Sequence, residues 1–317
     1  MKDNQQDTPP SSINGDEITG MEDEVYMFEE IEEINLDDDD DDGFMDTEGD
    51  MEYEEREPPE DHATLVFTKH EGSVFCCDLH PDGKLAATGG EDDKAYVWSV
   101  ETGQVIMDCT GHKDSIVFIG FSFDGAYLAT ADMAGLIKVW KVSTEENQQQ
   151  PWPVVFEYEA DDISWGQWHF GARVLLMSVY RVVTIHLVRL RLNATLLSNK
   201  KNAFCLISSV TFVSGTLNGG ISIWDVARQM MRHQCCEAGD GSEGVTKMIW
   251  IKDHLVTGLL DGSIRVFKNH LGELVQMLTG HRSAILDLCY NAKNNIILTS
   301  SDDATARIYK YEVNSLT

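Results

Sequence analysis

A repeat of about 42 residues limits this chain more than any other feature, because a period of that length marks one supersecondary unit stacked several times. His70 precedes Trp98 by 28 residues, and the same interval separates His112 from Trp140 and His281 from Tyr309. Steps of about 42 from His70 also predict aromatic residues at Trp224, in GGISIWD, and at Phe267, in DGSIRVF, where both are found. Only the third unit lacks its aromatic, since position 182 is Val182.

Within a good unit, apolar residues alternate between Asp-Gly or Gly turns, the pattern of antiparallel hairpins rather than helices. The first unit reads as strands over Val74 to Leu79, Leu85 to Gly89, Ala95 to Val100 and Val105 to Cys109. The expected fold is therefore all-β, about six four-stranded units over residues 62–317. The run Ala63 to Thr68 precedes the first histidine and is expected to complete the last unit as its outer strand, closing the ring and removing exposed sheet edges. The middle is irregular: Ile163 to His169 begins like a strand, but the apolar run that follows has no turn glycine.

Gly111-His112, Gly280-His281, the Trp224-Asp225 dipeptide and the turn ending at Trp98 resemble the WD40 repeats of a β-propeller, over roughly residues 63 to 313. The resemblance implies a structural tetrad in each blade: a His, a Ser/Thr, an Asp and a Trp linked by hydrogen bonds. The first unit supplies His70, Thr88, Asp92 and Trp98, and the last His281, Thr299, Asp303 and Tyr309. The second offers His112, Thr130 and Trp140, with Ala134 at the expected Asp position. The fourth offers Ser214, Asn218 and Trp224, and the fifth Thr257, Asp261 and Phe267, both without a histidine. A hydrolase triad is the competing reading of His, Thr and Asp. Recurrence decides against it, because a catalytic set is needed once.

Charge is concentrated at one end. Residues 1–61 hold 26 Asp/Glu against Lys2 and Arg56, while the remainder of a chain with net charge -30 is nearly balanced. Such a segment is expected to be a disordered acidic tail, since self-repulsion and few apolar residues leave too little burial to offset chain entropy. It repels phosphate backbones, so no direct nucleic-acid contact is expected, and it suits a basic protein partner. Phe28, Ile31 and Ile34 form an apolar island in it that a partner could order as a short helix.

Seven cysteines include no CxxC pair and are read as small buried hydrophobes rather than ligands or disulfides. With no Gly-rich phosphate loop either, neither an enzyme nor a cofactor or metal is expected. The start lacks an apolar h-region, and the most apolar stretch, Val174 to Leu192, carries Arg181, His186, Arg189 and Arg191, so no membrane span is expected and the chain is placed in the cytosol or nucleocytoplasm.

The strings TGGEDDKAYVW, GHKDSI, DMAGLIKVW, EADDISWGQWH and IWDVARQMMRHQC together resemble the angio-associated migratory cell protein family. That family has more repeats, and the units between the third blade and GGISIWD are absent or rewritten here. The resemblance implies a non-enzymatic interaction module. One reading is a chaperone of a large-subunit ribosomal protein, like the family's fungal relative; the alternative is a cytoplasmic scaffold for signalling proteins in cell migration. The loops after each histidine should share one rim, making Glu71, Lys113, Asp114 and Arg282 candidate partner contacts.

Overall fold

The computed structural model describes residues 60–143, 151–179, 186–189, 203–208, 211–225, 228, 230–237 and 243–312. The chain divides into two units, Met1–Glu55 and Arg56–Thr317, and every described residue belongs to the second. The expectations for the tail, with Phe28, Ile31 and Ile34, and for position 182 lie outside the described residues.

Strands β2 (Val74–Leu79), β3 (Leu85–Gly90), β4 (Ala95–Ser99) and β5 (Val105–Asp108) form the first antiparallel sheet, in chain order. The second contains β6 (Ile116–Phe121), β7 (Tyr127–Asp132), β8 (Leu136–Lys141) and β9 (Val154–Glu159). Among the described residues the third has only three strands, β10 (Ile163–Trp168), β11 (Val174–Val179) and β12 (His186–Arg189). The fourth is built from β13 (Ala203–Ser208), β14 (Thr211–Gly215), β15 (Ile221–Asp225) and β16 (Met230–Cys236), and the fifth from β17 (Val245–Ile251), β18 (His254–Leu259), β19 (Ile264–Lys268) and β20 (Leu274–Leu278).

The sixth sheet joins the two ends of the domain. It contains β21 (Ile285–Asn291), β22 (Ile296–Ser301), β23 (Ala306–Lys310) and, as outer strand, β1 (Leu65–Phe67). Leu65 pairs with Ile308 and Phe67 with Ala306. Phe67 is buried there and stacks on Trp98 of the first sheet at 4.6 Å, so the closing strand also glues two blades.

Each sheet is a propeller blade. The inner strands pack side by side in the order β13, β17, β21, β2, β6, β10, and no comparable contact joins β10 to β13 among the described residues. The core lies between blades: Ala87 and Val97 of the first cluster with Ile119, Leu128 and Trp140 of the second. Close approach requires small residues on β3, where a Cβ on Gly89 would collide with Ile116 of β6. Cys76, Cys77 and Cys109 are buried in these layers, whereas Cys235, Cys236 and Cys289 are only half-buried.

Candidate functional site

Two blades carry the full hydrogen-bonded chain, and the last carries it as far as threonine, the buried Tyr309 hydroxyl being without a partner among the described residues. In the first, the Trp98 indole donates to Thr88 Oγ1 at 3.2 Å, while His70 lies 3.0 Å from that hydroxyl through Nε2 and 2.9 Å from Asp92 through Nδ1. A carboxylate only accepts, so Nδ1 carries the proton and Nε2 takes one from threonine. Burial holds His70 below the usual imidazole range, which fixes this neutral form. In the last blade His281 spans Thr299 at 2.7 Å and Asp303 at 3.0 Å, with Tyr309 buried in place of the indole.

The second blade corrects the sequence reading. Ala134 does stand at the expected position, but Asp132, two residues earlier, provides the carboxylate, 3.0 Å from His112 Nδ1. His112 Nε2 is 2.7 Å from Thr130, which accepts from Trp140 at 3.1 Å. Asp132 also accepts the Leu136 N–H at 2.8 Å, across the turn that contains Gly135. That glycine has φ +99, and a Cβ on it would strike the Ala160 carbonyl.

The fourth and fifth blades keep fragments. Trp224 donates to Ser214 at 2.8 Å, and Asn218 is exposed at a turn tip. Thr257, with no imidazole to meet, donates to the Arg265 carbonyl at 3.1 Å, while Asp261 accepts from Ser263 and Arg265. In the complete tetrads every threonine hydroxyl is buried and already engaged on both sides, so these groups order the blades instead of attacking a substrate.

The tetrads also set the rim. Glu71, Lys113 and Arg282 follow the three histidines, and their backbone N–H groups donate to Asp92, Asp132 and Asp303 at 3.2, 3.2 and 3.0 Å. Three exposed side chains are thus presented from one equivalent position. Glu71 is 3.8 Å from Lys94, and Lys113 is 3.3 Å from Glu159. Asp114 is half-buried and caps the Ser115 N–H at 2.8 Å. Serines interlock neighbouring turns: Ser73 donates to Asp302 at 2.6 Å across two blades, and Ser115 to the Glu91 carbonyl at 3.3 Å. The rim carries exposed Glu71, Glu91 and Asp302 beside Lys113 and Arg282.

A second constellation was not visible in the sequence. Five inner strands surround a central cavity of about 440 Å³. Cys77, Ile119, Gly166, Met248 and Leu288 lie opposite equivalent positions of their second strands, so the preceding residues, Cys76, Phe118, Trp165, Lys247 and Asp287, occupy one level of the cavity wall. Side-chain bridges run from strand to strand around it. Lys247 pairs with Asp287 at 2.7 Å, Asp287 accepts the Cys77 N–H at 3.2 Å, Asp78 accepts the Phe121 N–H at 2.7 Å, and Trp168 donates to the Gly120 carbonyl at 2.8 Å. Burial pushes the Asp78 carboxyl up to about 7, while the Asp287 carboxylate raises the Lys247 ammonium above its ordinary range. Only the strand register brings these residues together.

Among the described residues no three His, Cys, Asp or Glu side chains converge to hold a metal ion, and no helix is long and apolar enough to cross a membrane. The family model described as "WD domain, G-beta repeat" matches residues 62–99, 103–141 and 272–310. Angio-associated migratory cell protein of Homo sapiens is 31% identical over 255 residues, which cover 78% of this chain and 48% of the relative. The chain thus spans about half the length of that relative. Ribosome assembly protein SQT1 of Saccharomyces cerevisiae is 30% identical over 34% of this chain and 27% of its own length. Among solved structures, Chaetomium thermophilum Sqt1 bound to the N-terminus of ribosomal protein L10 superposes with a TM-score of 0.64 at 19% identity, covering 79% of this chain and 100% of that one. At that identity the likeness concerns the fold.

Proposed function

We propose that this WD40-repeat interaction module holds a basic protein client, a large-subunit ribosomal protein awaiting assembly, on the rim that carries Glu71, Lys113, Asp114 and Arg282. The observation behind this reading is the superposition on a propeller that was solved holding the N-terminus of a ribosomal protein. The chain's surplus of acids, 54 against 24 bases, favours a cationic client and is consistent with no direct role for nucleic acid. The reading assigns the chain a non-enzymatic role, needs no cofactor, and places it in the cytoplasm or nucleus where ribosomal subunits are built.

Affinity purification of the full chain at low and at high salt tests it, because contacts between exposed charges weaken as the screening length shortens. Ribosomal proteins should co-purify at low salt and be lost as salt is added. Charge reversal at Glu71, Lys113, Asp114 and Arg282 together should abolish capture, and undiminished capture would remove this rim. The likeness to angio-associated migratory cell protein favours a second reading, a cytoplasmic scaffold for signalling proteins in cell migration. Salt-resistant signalling partners would select it.

A further inference from the structure

The central cavity holds an imbalance of charge. Of the described side chains lining it, Asp78 and Asp287 are acidic and Lys247 alone is basic. Lys247 is committed to Asp287 at 2.7 Å. Asp78 accepts backbone N–H groups, from Leu79 at 2.8 Å and from Phe121 at 2.7 Å, and among the described residues no cation pairs with it directly, Lys247 acting on it from beyond ion-pair distance. Among the described residues the strands packed beside it add no other charge to the wall: β6 and β10 contribute Phe118, Phe121, Trp165 and Trp168, and β21 contributes Cys289 besides Asp287.

We infer that this cavity is a binding site for a cationic side chain, a lysine or an arginine presented by a partner protein, with Asp78 as its counter-charge and Phe118 and Trp165 as its aromatic wall. The volume, about 440 Å³, falls in the range of small-ligand pockets, which typically hold a few polar groups in an apolar lining. Aromatic faces attract ammonium and guanidinium groups, most strongly where water is partly excluded. Trp165 keeps 37% of its surface exposed, so its ring is open to a visitor. An anion would meet two carboxylates, and a neutral apolar ligand would leave Asp78 desolvated without a partner. A cation satisfies both demands, and by holding Asp78 ionised it should release a proton on binding near neutral pH. The inference deepens the reading above by naming the group of the client that is recognised.

The probes are N-acetyl-arginine amide and its uncharged isostere N-acetyl-citrulline amide, titrated into the full chain while the Trp165 indole resonance is followed. Arginine amide should bind at least about tenfold more tightly than citrulline amide, a difference of one decade in Kd. Its affinity should rise between about pH 6 and 8 as Asp78 loses its proton. Asp78→Asn should weaken binding about tenfold and flatten that pH dependence. Trp165→Ala alters an open side chain and should weaken binding without lowering the melting temperature, so the test survives a poorly folded Asp78 variant. Equal affinity for the two amides, unchanged binding in Trp165→Ala, or no shift of the indole would each overturn the site. Client capture that persists in a chain unable to bind arginine amide removes the cavity and leaves the rim reading intact. Arginine binding without any client capture supports the cavity and removes the rim reading.

Discussion

Asp132→Ala should be among the most damaging single substitutions in the domain, although the residue stands at the very end of β7. Its fully buried carboxylate accepts from His112 at 3.0 Å, from the Lys113 N–H at 3.2 Å and from the Leu136 N–H at 2.8 Å. Lys113 is exposed, and its N–H can turn to water. The His112 and Leu136 donors cannot, and a buried donor left without an acceptor costs about 1 to 3 kcal/mol. Two such losses amount to roughly 2 to 6 kcal/mol. For a domain of this size each kcal/mol lowers the melting temperature by about 2 to 4 °C, so a drop of roughly 5 to 20 °C is expected. Near-UV circular dichroism melts of the parent, Asp132→Ala and the surface control Glu101→Ala would measure it. Ala134→Asp in the Asp132→Ala background should restore part of the melt, because Ala134 holds the turn position from which Asp92 reaches its histidine in the first blade. A loss below about 1 kcal/mol, within the range of surface substitutions, would refute the role of Asp132 in the tetrad.

Phe67→Ala removes a buried ring stacked at 4.6 Å on Trp98 and should lower the guanidinium midpoint by the equivalent of about 3 to 5 kcal/mol, a large aromatic-to-alanine effect. Asp78→Asn should change the pH dependence of stability. The folded carboxyl, raised to about 7 from 3.8, binds its proton more tightly than the unfolded chain does, so this group makes the domain less stable as pH rises from about 4 through 7. At about 440 Å³ the cavity is large enough for water to screen the group, so the slope should total about 1 to 2 kcal/mol rather than the roughly 4 kcal/mol of the full shift, and urea titrations should find it absent in the variant. The tetrads act in the opposite direction: burial holds His70, His112 and His281 below 6.5, so unfolding takes up protons and stability should fall as pH drops below about 6.5. Isothermal unfolding in the Asp78→Asn background should show that acid loss alone, and a flat profile from about pH 5 to 8 would contradict the neutral histidines.

The blades were legible because their signal is local and repeated. A histidine, a period-2 apolar run and an aromatic residue recur within one sheet, and the closing strand could be read from an apolar run left over before His70. Asp132 was misread for a physical reason: the hairpin and the His112 to Trp140 interval match those of the first blade, but the carboxylate comes from the last residue of β7, the position Gly90 holds there, instead of from the turn. A search for any Asp within reach of the turn would have found it. Asp78, Lys247 and Asp287 gave no such signal. Each sits alone among apolar neighbours in its own strand, and they meet only because three blades bring equal or adjacent register positions to one axis.

The seam between β1 and β23 also imposes a timetable on synthesis. Phe67 leaves the ribosome about 240 residues before its pairing partner Ala306, which at about 5 to 20 residues per second is an interval of roughly 12 to 50 s. For that time Leu65–Phe67 is a strand without a sheet, and the earlier blades have no terminal stitch. A nascent chain of this design is therefore vulnerable to unwanted pairing through most of its own translation. Stalling near the end of the message would leave a molecule with nearly every blade sequence present and the ring unsealed.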